Sequence, residues 1–385
     1  MLEITTAIFL TLMGSAVFHL IPAKIPRLRM GFVTVMSFFI VFAFHPLAAL
    51  AATGSGIFAW LLYLLGQCGP KLQKYAPFSL IALLLIFSIE DFDVATNIYA
   101  TTLVQFGMSF YVLRLYLALR TSASRRETVG LEEFLTIALF FPIFAAGPIC
   151  AQEAFSRSTL RDNPLLHNYL VGFLRIGIGI FSLYFITAMI DKIEAPLTEF
   201  SGYLIDWPRM SSLATYLVMV LNFADLYANF AGYTEIAIGL GLFFGFQIPE
   251  NFKYPFLATN IHDFWRRWLL SLSRFITTQI YMPLMLTLRK PRLCMFLAFT
   301  LVGMWHKVNL QYLVWGMGHG LMLVSYMTFS KSPAHTAITE RVTTKFWALI
   351  SWTLTISMVS FLSTFANQPD LDQALAFCRS LLLGS

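Results

Sequence analysis

The chain has 385 residues, of which 58% are hydrophobic and 12% charged, and its formal net charge is +6. Soluble domains carry about 25% charged residues, so this composition and a mean hydropathy of +0.70 exclude a water-soluble protein. The sequence predicts a polytopic membrane protein whose positive charge lies in cytoplasmic loops, with no nucleic-acid-binding surface.

The first half of the chain contains apolar segments separated by short charged turns. Residues 4–21 and 30–52 are long enough to span a bilayer, and the basic residues between them place that turn in the cytoplasm. Residues 57–66 are too short to cross and are interpreted as re-entrant or as packed against neighbouring segments. Further turns are predicted from charge: the acidic cluster Glu90, Asp91 and Asp93 outside, and the basic residues Arg125 and Arg126 inside.

Two later segments carry features that an ordinary span lacks. In FFPIFAAGPI, Pro142 and Pro148 remove backbone donors, which predicts a broken helix that contacts protein or a cavity. Residues 211–246 carry Asp225 and Glu235 at membrane depth, after an acidic loop at 191–209 that is predicted to be extracytoplasmic. Because intramembrane carboxylates are costly, both are site candidates; hydrogen bonding between helices is the alternative.

Residues 254–320 form the most informative stretch. Apolar residues with helical periodicity predict one amphipathic helix over residues 261–276, capped by Asn260 with Asp263 in its first turn. Trp265 and Trp268 flank Arg266 and Arg267, a combination that suits the membrane interface.

Two histidines follow this helix at comparable distances from basic turns. At about 1.5 Å rise per residue, His306 lies about 21 Å from Arg292, and His319 about 18 Å from the basic end at Lys331. Both are therefore predicted deep in the membrane and close in depth. Cys68, Cys150, Cys294 and Cys378 are widely spaced, which indicates neither a metal site nor a disulfide framework.

In chain order, IPENFKYPF, FWRRW with SLS, YMPL, GMWH and WGMGHG resemble the membrane-bound O-acyltransferases, in particular the bacterial alginate O-acetyltransferase and D-alanine transfer branch. With FFPIFAAGPI and FAGYTEIAIGLGLFFGF, the resemblance covers residues 100–325. Together with the apolar pattern, it implies an all-α bundle of ten or eleven spans, some re-entrant or broken. The helices would form a tilted ring around a central tunnel, in a single integral domain over residues 1–385.

The resemblance implies an enzyme of the bacterial cytoplasmic membrane that moves an acyl group, acetyl in the first instance. The donor would be acetyl-CoA or an acyl carrier thioester, with no bound cofactor and no metal. The acceptor would be hydroxyls of an extracytoplasmic polysaccharide or a partner acyltransferase protein. The histidine of GMWH corresponds to the residue usually held to be catalytic, which is His306.

Chemistry supports a histidine independently, because imidazole is the side chain whose ordinary pKa suits a base near neutral pH. The chain contains no evident serine elbow or cysteine pairing, which favours direct transfer. The supporting or tunnel-lining candidates are His319, Trp305, Lys307, Asn309, Asp225, Glu235, Arg266 and Arg267.

The chain departs from the family pattern at several positions. Leu269 stands where relatives have a histidine, Thr277 and Thr278 replace an Arg-Asp pair, and Lys307 replaces a common glycine. His262 lies two helical turns before Leu269 and is a possible substitute for the missing imidazole.

Alternatives therefore stay open. They are D-alanyl transfer to an envelope polymer, a proton-coupled transporter or flippase in which the buried histidines, Asp225 and Glu235 relay protons, and an inactive scaffold.

Overall fold

The computed structural model describes residues 2–89, 98–122, 128–144, 147–150, 152–155, 165–198, 200–201, 204–205, 207 and 210–384. The predicted clusters at Glu90, Asp91 and Asp93 and at Arg125 and Arg126 lie outside the described residues. The chain divides into two compact units, one of Met1–Phe181 with Gly232–Glu250 and one of Ser182–Ala231 with Asn251–Ser385.

The first unit is built from helices. They are α1 (Leu2–Leu20), α2 (Pro26–Phe44), α3 (Pro46–Gly66), α4 (Pro70–Ile89), α5 (Ile98–Ser122), α6 (Leu131–Leu139) and α7 (Leu165–Ile180), with 3₁₀ turns at Phe141–Ile143 and Gln152–Phe155. A π-helical turn, Phe181–Ile186, follows α7 and belongs to the second unit from Ser182 onward. The end of a long later helix completes the first unit.

The second unit is also helical, apart from one small hairpin. Its elements are α8 (Thr187–Glu194), β1 (Phe200–Ser201), β2 (Leu204–Ile205), most of α9 (Ser212–Phe243), a 3₁₀ turn (Pro255–Leu257), α10 (Ile261–Trp265), α11 (Leu270–Phe275), a π-helical turn (Ile276–Tyr281), α12 (Met282–Leu288), α13 (Pro291–His306), α14 (Leu310–Phe329), α15 (Pro333–Arg341), α16 (Thr344–Ala366) and α17 (Leu371–Leu383). The strands pair antiparallel, Phe200 with Ile205 and Ser201 with Leu204.

Five helical segments among the described residues are long and apolar enough to cross a membrane. They are Pro26–Phe44, Pro46–Gly66, Leu166–Glu194, Ser212–Phe243 and Thr344–Ala366. The predicted class, a polytopic helical membrane protein, is confirmed. The number of ten or eleven spans stays a prediction, as does the tilted ring around a tunnel.

Pro46 divides the helices near the N-terminus differently from the prediction. Assigning residues 30–52 to one span and calling 57–66 too short was wrong, because α2 ends at Phe44 and α3 runs for 21 residues from Pro46. Proline is favoured in the first helical turn, where its missing N–H has no intrahelical partner to lose. Gly56 continues the helix and lets α6 approach, since a Cβ there would lie 3.1 Å from Leu135.

The predicted break in FFPIFAAGPI is confirmed. Helix α6 ends at Leu139 and a 3₁₀ turn follows. Arg114 of α5 is fully buried and donates from Nε to the Ile137 carbonyl at 3.3 Å and from Nη1 to the Ile143 carbonyl at 2.8 Å. The guanidinium thus gives a second donor to the Ile143 carbonyl, which also accepts from the Gly147 N–H at 3.2 Å, and ties α5 to the carbonyl groups on both sides of the break.

Helices α13 and α14 cross at two glycines. A Cβ on Gly303 would lie 2.3 Å from the Tyr312 carbonyl oxygen, and one on Gly316 would lie 2.5 Å from that of Phe299. Because neither glycine has a side chain, the two backbones touch. This contact holds together the two helices that carry His306 and His319.

Candidate active site

His306 is the last residue of α13 and is partly exposed. Its imidazole lies among three aromatic rings, with centroid distances of 4.6 Å to Trp305, 5.6 Å to Tyr312 and 5.3 Å to Trp315. It makes no hydrogen bond to another described residue. The ring is therefore held by packing, and no described residue forms a hydrogen bond with either of its nitrogens.

His319 lies one element further on and is only 1% exposed. Trp265 donates from Nε1 to His319 Nδ1 at 3.3 Å, and the Trp315 ring lies 4.6 Å away. Since Nδ1 accepts a hydrogen bond, the neutral ring carries its proton on Nε2. The structure thus brings both predicted histidines against one indole, that of Trp315.

The connection between α13 and α14 contains two further candidates. Lys307 is exposed and adopts an extended backbone that ends α13. Asn309 caps α14, and its Oδ1 accepts from the Tyr312 N–H at 2.9 Å. The cap uses the amide oxygen, so only the Nδ2 group of Asn309 remains as a donor for a developing oxyanion.

The predicted helix over 261–276 begins where expected but does not continue. The Asn260 cap is confirmed, because its side chain accepts from the Asp263 N–H at 2.8 Å. Continuity was wrong: α10 ends at Trp265, and Leu269 adopts φ 42° and ψ 60°, a left-handed conformation that breaks the helix. A leucine rarely adopts this conformation, so periodicity alone did not predict the turn.

A buried asparagine that sequence reasoning missed supports this turn. Asn251, in the IPENFKYPF segment, is 1% exposed, and its Oδ1 accepts from the Ser271 N–H at 3.2 Å and the Ser271 hydroxyl at 2.6 Å. The Lys253 N–H also donates to the Arg267 carbonyl at 2.9 Å. In the sequence, the only signal for Asn251 was its place in the IPENFKYPF motif.

The two arginines of FWRRW differ in their contacts. Arg267 binds Asp263 at 2.9 Å, whereas Arg266 is exposed.

The aromatic residues of α10 and the following turn are internal. Trp265 and Trp268 are each 6% exposed, and Trp268 stacks on Phe223 at 5.2 Å. Their interpretation as interfacial anchors was therefore wrong. His262 is exposed, with its ring parallel to Tyr326 at 6.5 Å; none of its ring contacts with described residues involves His306 or His319.

The two carboxylates predicted at membrane depth occupy separate environments. Glu235 belongs to the first unit and accepts from Arg175 at 2.8 and 2.9 Å; Arg175 also binds Glu250. Glu235 is thus paired in the manner of the structural alternative. Asp225 belongs to the second unit, where its Oδ2 accepts from Asn229 at 3.0 Å.

The two threonines at the departure from the family pattern bond to their own helix. Their hydroxyls donate to the Ser273 and Arg274 carbonyls, from Thr277 at 2.8 Å and from Thr278 at 2.9 Å.

Comparison with known proteins gives a family and several relatives. The family model described as MBOAT, membrane-bound O-acyltransferase family, matches residues 58–366. A peptidoglycan O-acetyltransferase of Helicobacter pylori is 29% identical over 260 residues, covering 66% of this chain and 47% of the relative. A probable alginate O-acetylase of Azotobacter vinelandii is 32% identical, covering 65% and 49%.

A third relative is named for a different activity. It is a teichoic acid D-alanyltransferase of Bacillus subtilis, 30% identical over 229 residues and covering 54% of each chain. The chain spans about half the length of these curated relatives.

Proposed function

The chain belongs to the membrane-bound O-acyltransferase family, and on this premise we propose that it is an O-acyltransferase whose general base is His306. The observation that carries the proposal is the His306 imidazole, which is packed by aromatic rings, partly exposed and free of hydrogen bonds to other described residues. A base must reach the acceptor's proton, and an uncommitted, positioned imidazole meets that requirement.

The proposed reaction is a direct acyl transfer. A nitrogen of His306 removes the proton of an acceptor hydroxyl while that oxygen attacks the carbonyl carbon of a thioester. The C–O bond forms, the C–S bond breaks, and the imidazolium returns its proton to the leaving sulfur. Asn309 Nδ2 and the Lys307 ammonium are the donors proposed to stabilise the oxyanion, because both belong to the short connection that follows His306.

The proposed substrates follow from the relatives. The acyl group is acetyl, from acetyl-CoA or an acyl carrier thioester in the cytoplasm. The acceptor is a polysaccharide outside the cytoplasmic membrane, reached directly or through a partner acyltransferase. Two relatives with acetyl-transferring names support this choice. The Bacillus subtilis relative supports D-alanyl transfer as the second candidate.

The test uses the full chain in lipid nanodiscs with a labelled acyl thioester and an acceptor saccharide. His306→Ala is expected to lower turnover by about 10²- to 10⁴-fold. Its thermal stability should stay near that of the parent, because removing a partly exposed ring without hydrogen bonds leaves no buried donor or acceptor unpaired. Normal turnover by a well-folded His306→Ala protein would contradict the assignment.

His319→Ala is the matched control. This ring is buried and accepts the Trp265 indole N–H, so its removal leaves a cavity and an unpaired buried donor. We expect the free energy of unfolding to fall by about 2–4 kcal/mol, together with activity.

Supplying labelled acetyl and D-alanyl thioesters in parallel separates the two candidate acyl groups. Mass analysis of cell-surface polysaccharide with and without the protein identifies the acceptor and tests the scaffold alternative.

A further inference from the structure

The second unit contains a cavity of about 370 Å³ whose lining residues are mostly polar. None of these residues belongs to the His306 cluster. Small-molecule sites have volumes of about 300–1,000 Å³, so it is large enough for a small ligand. One wall is a face of α9, which carries Asn222, Asp225 and Asn229 at i, i+3 and i+7. Opposite lie Asn367 and Gln373, from the connection after α16 and from α17.

Several polar groups of this lining lack a partner. The amides of Asn222, Asn367 and Gln373 make no side-chain hydrogen bond to another described residue. Thr364 Oγ1 and Asp225 Oδ1 are buried without a hydrogen-bond partner of good geometry, although Thr187 lies beside the Asp225 carboxylate. Buried polar atoms such as Thr364 Oγ1 and Asp225 Oδ1 are normally satisfied. Asn222 and Gln373 are half-buried and Asn367 is exposed, so their unpaired amides are accessible beside these two buried atoms. Together they point to a ligand that supplies hydroxyls and amide groups.

The cavity wall is fixed in place before any ligand binds. Trp207 donates from Nε1 to Gln368 Oε1 at 3.1 Å, and Gln368 donates from Nε2 to the Thr364 carbonyl at 3.0 Å. The Trp207 ring packs edge-on against Phe377 at 5.0 Å. The wall thus combines an indole with a rigid amide, next to amides that are free to bind.

The charge of the cavity lining restricts the class of ligand that can bind. The lining contains one carboxylate, Asp225, and no lysine or arginine among its described residues, and Asp191 and Glu194 lie near that carboxylate. Phosphate groups and uronate carboxylates are recognised by arginine and lysine and repelled by carboxylates. The cavity therefore disfavours the phosphates of a coenzyme A donor and the polyanionic chain of a uronate polymer.

We infer that this cavity is a binding subsite for a neutral saccharide unit, with hydroxyl or acetamido groups, of the acceptor. The free amides and Asp225 bind the hydroxyls and the Trp207 wall borders the sugar ring. The subsite selects against uronates because their carboxylates are repelled by Asp225 and by the nearby Asp191 and Glu194. This inference rests on the proposed function for the meaning of "acceptor", but binding itself does not require the chemistry of His306.

The experiment measures binding to the full chain in lipid nanodiscs by isothermal titration. Nanodiscs are required because maltoside detergents carry a sugar head group that would occupy the site. The neutral probe is chitotetraose, the anionic probe tetramannuronate. We expect saturable chitotetraose binding, with tetramannuronate at least about tenfold weaker. Asn222→Leu and Gln373→Leu should each weaken chitotetraose binding about three- to tenfold, the loss of one hydrogen bond. Asp225→Asn should reduce the discrimination against tetramannuronate.

Two further variants separate the possible outcomes. Gln67→Leu, an exposed amide of the first unit, is the matched control and should bind as the parent does. His306→Ala should also bind chitotetraose normally, so loss of its turnover tests the proposed function without touching the subsite.

The inference is overturned if chitotetraose does not saturate, if both probes bind equally, or if both folded leucine variants keep parental affinity. Should Asn222→Leu fail to fold, Gln373→Leu on a different helix decides the matter.

Discussion

His306 and His319 share a neighbour but differ in what each can do. Both rings pack against Trp315, yet His319 is buried and accepts a hydrogen bond, whereas His306 is partly exposed and free. A ring whose Nδ1 is occupied and whose surface is buried serves to position Trp265 and α10. A ring with both nitrogens free is able to exchange a proton with a substrate. At this scale, the division of roles follows from hydrogen bonding and exposure.

Leu269 is one of the positions at which the sequence departs from the family pattern. It is 8% exposed and has φ 42°, so the position requires a left-handed backbone within a packed turn. Histidine adopts that conformation more readily than leucine. Leu269→His should therefore fold normally and leave turnover within about twofold, since the backbone penalty of about 1–2 kcal/mol does not increase. Thermal unfolding and the acyl-transfer assay check this.

A large rise in turnover for Leu269→His would show that the natural chain is impaired, which favours the scaffold alternative. The matched substitution is Leu269→Val, whose β-branched side chain is poorly accommodated at positive φ and should lower stability.

At the scale of elements, the glycine contact between α13 and α14 sets the geometry of the candidate site. Gly303→Ala would place a methyl group 2.3 Å from the Tyr312 carbonyl oxygen, so the helices must separate. We expect a loss of about 1–3 kcal/mol in the free energy of unfolding, with a fall in turnover because His306 moves relative to His319. Thermal unfolding and kinetics of the variant in nanodiscs measure both.

Gly177→Ala in α7 is the control, because a Cβ there meets nothing within 4 Å. It should be neutral or more stable by up to about 1 kcal/mol, since alanine favours helix. If Gly303→Ala and Gly177→Ala lost the same stability and turnover, the close contact between α13 and α14 would not be what sets the geometry of the candidate site.

Element boundaries were predictable where local chemistry decided them. Asn260 as a cap and the break at Pro142 follow from the side chains themselves. The break at Leu269 was not predictable, because Asn251 and Lys253, distant by up to twenty residues, hold a leucine where its own preference opposes it. The start of α3 at Pro46 was missed because the adjacent apolar residues hid a proline that begins a helix.

At the scale of the whole molecule, the positive-inside rule still makes a definite topology prediction. After replacement of the four native cysteines, Lys192→Cys should react with an impermeant thiol reagent in intact cells, whereas Lys290→Cys should not. Both positions are exposed, so differences in labelling report the side of the membrane. Labelling only at 290 would invert the topology and with it the proposed direction of transfer.

The candidate sites differed in how far the sequence could predict them. His306 was indicated by four letters, GMWH, together with helix rise. The saccharide cavity was not predictable, because Trp207 and Gln368 meet across 161 positions of the chain. Glu235 was identified as a costly intramembrane carboxylate, but its partner Arg175 lies 60 residues earlier and only the folded chain pairs them.

The indole of Trp315 between the two histidines limits how protons can travel. An indole N–H donates but does not accept, so it cannot pass a proton from one imidazole to the other. The described residues contain no hydrogen bond between His306 and His319 either. We therefore expect a single proton to be transferred at the transition state. Turnover measured in mixtures of light and heavy water should fall linearly with the deuterium fraction, whereas a curved plot would reveal a second proton moving in a relay.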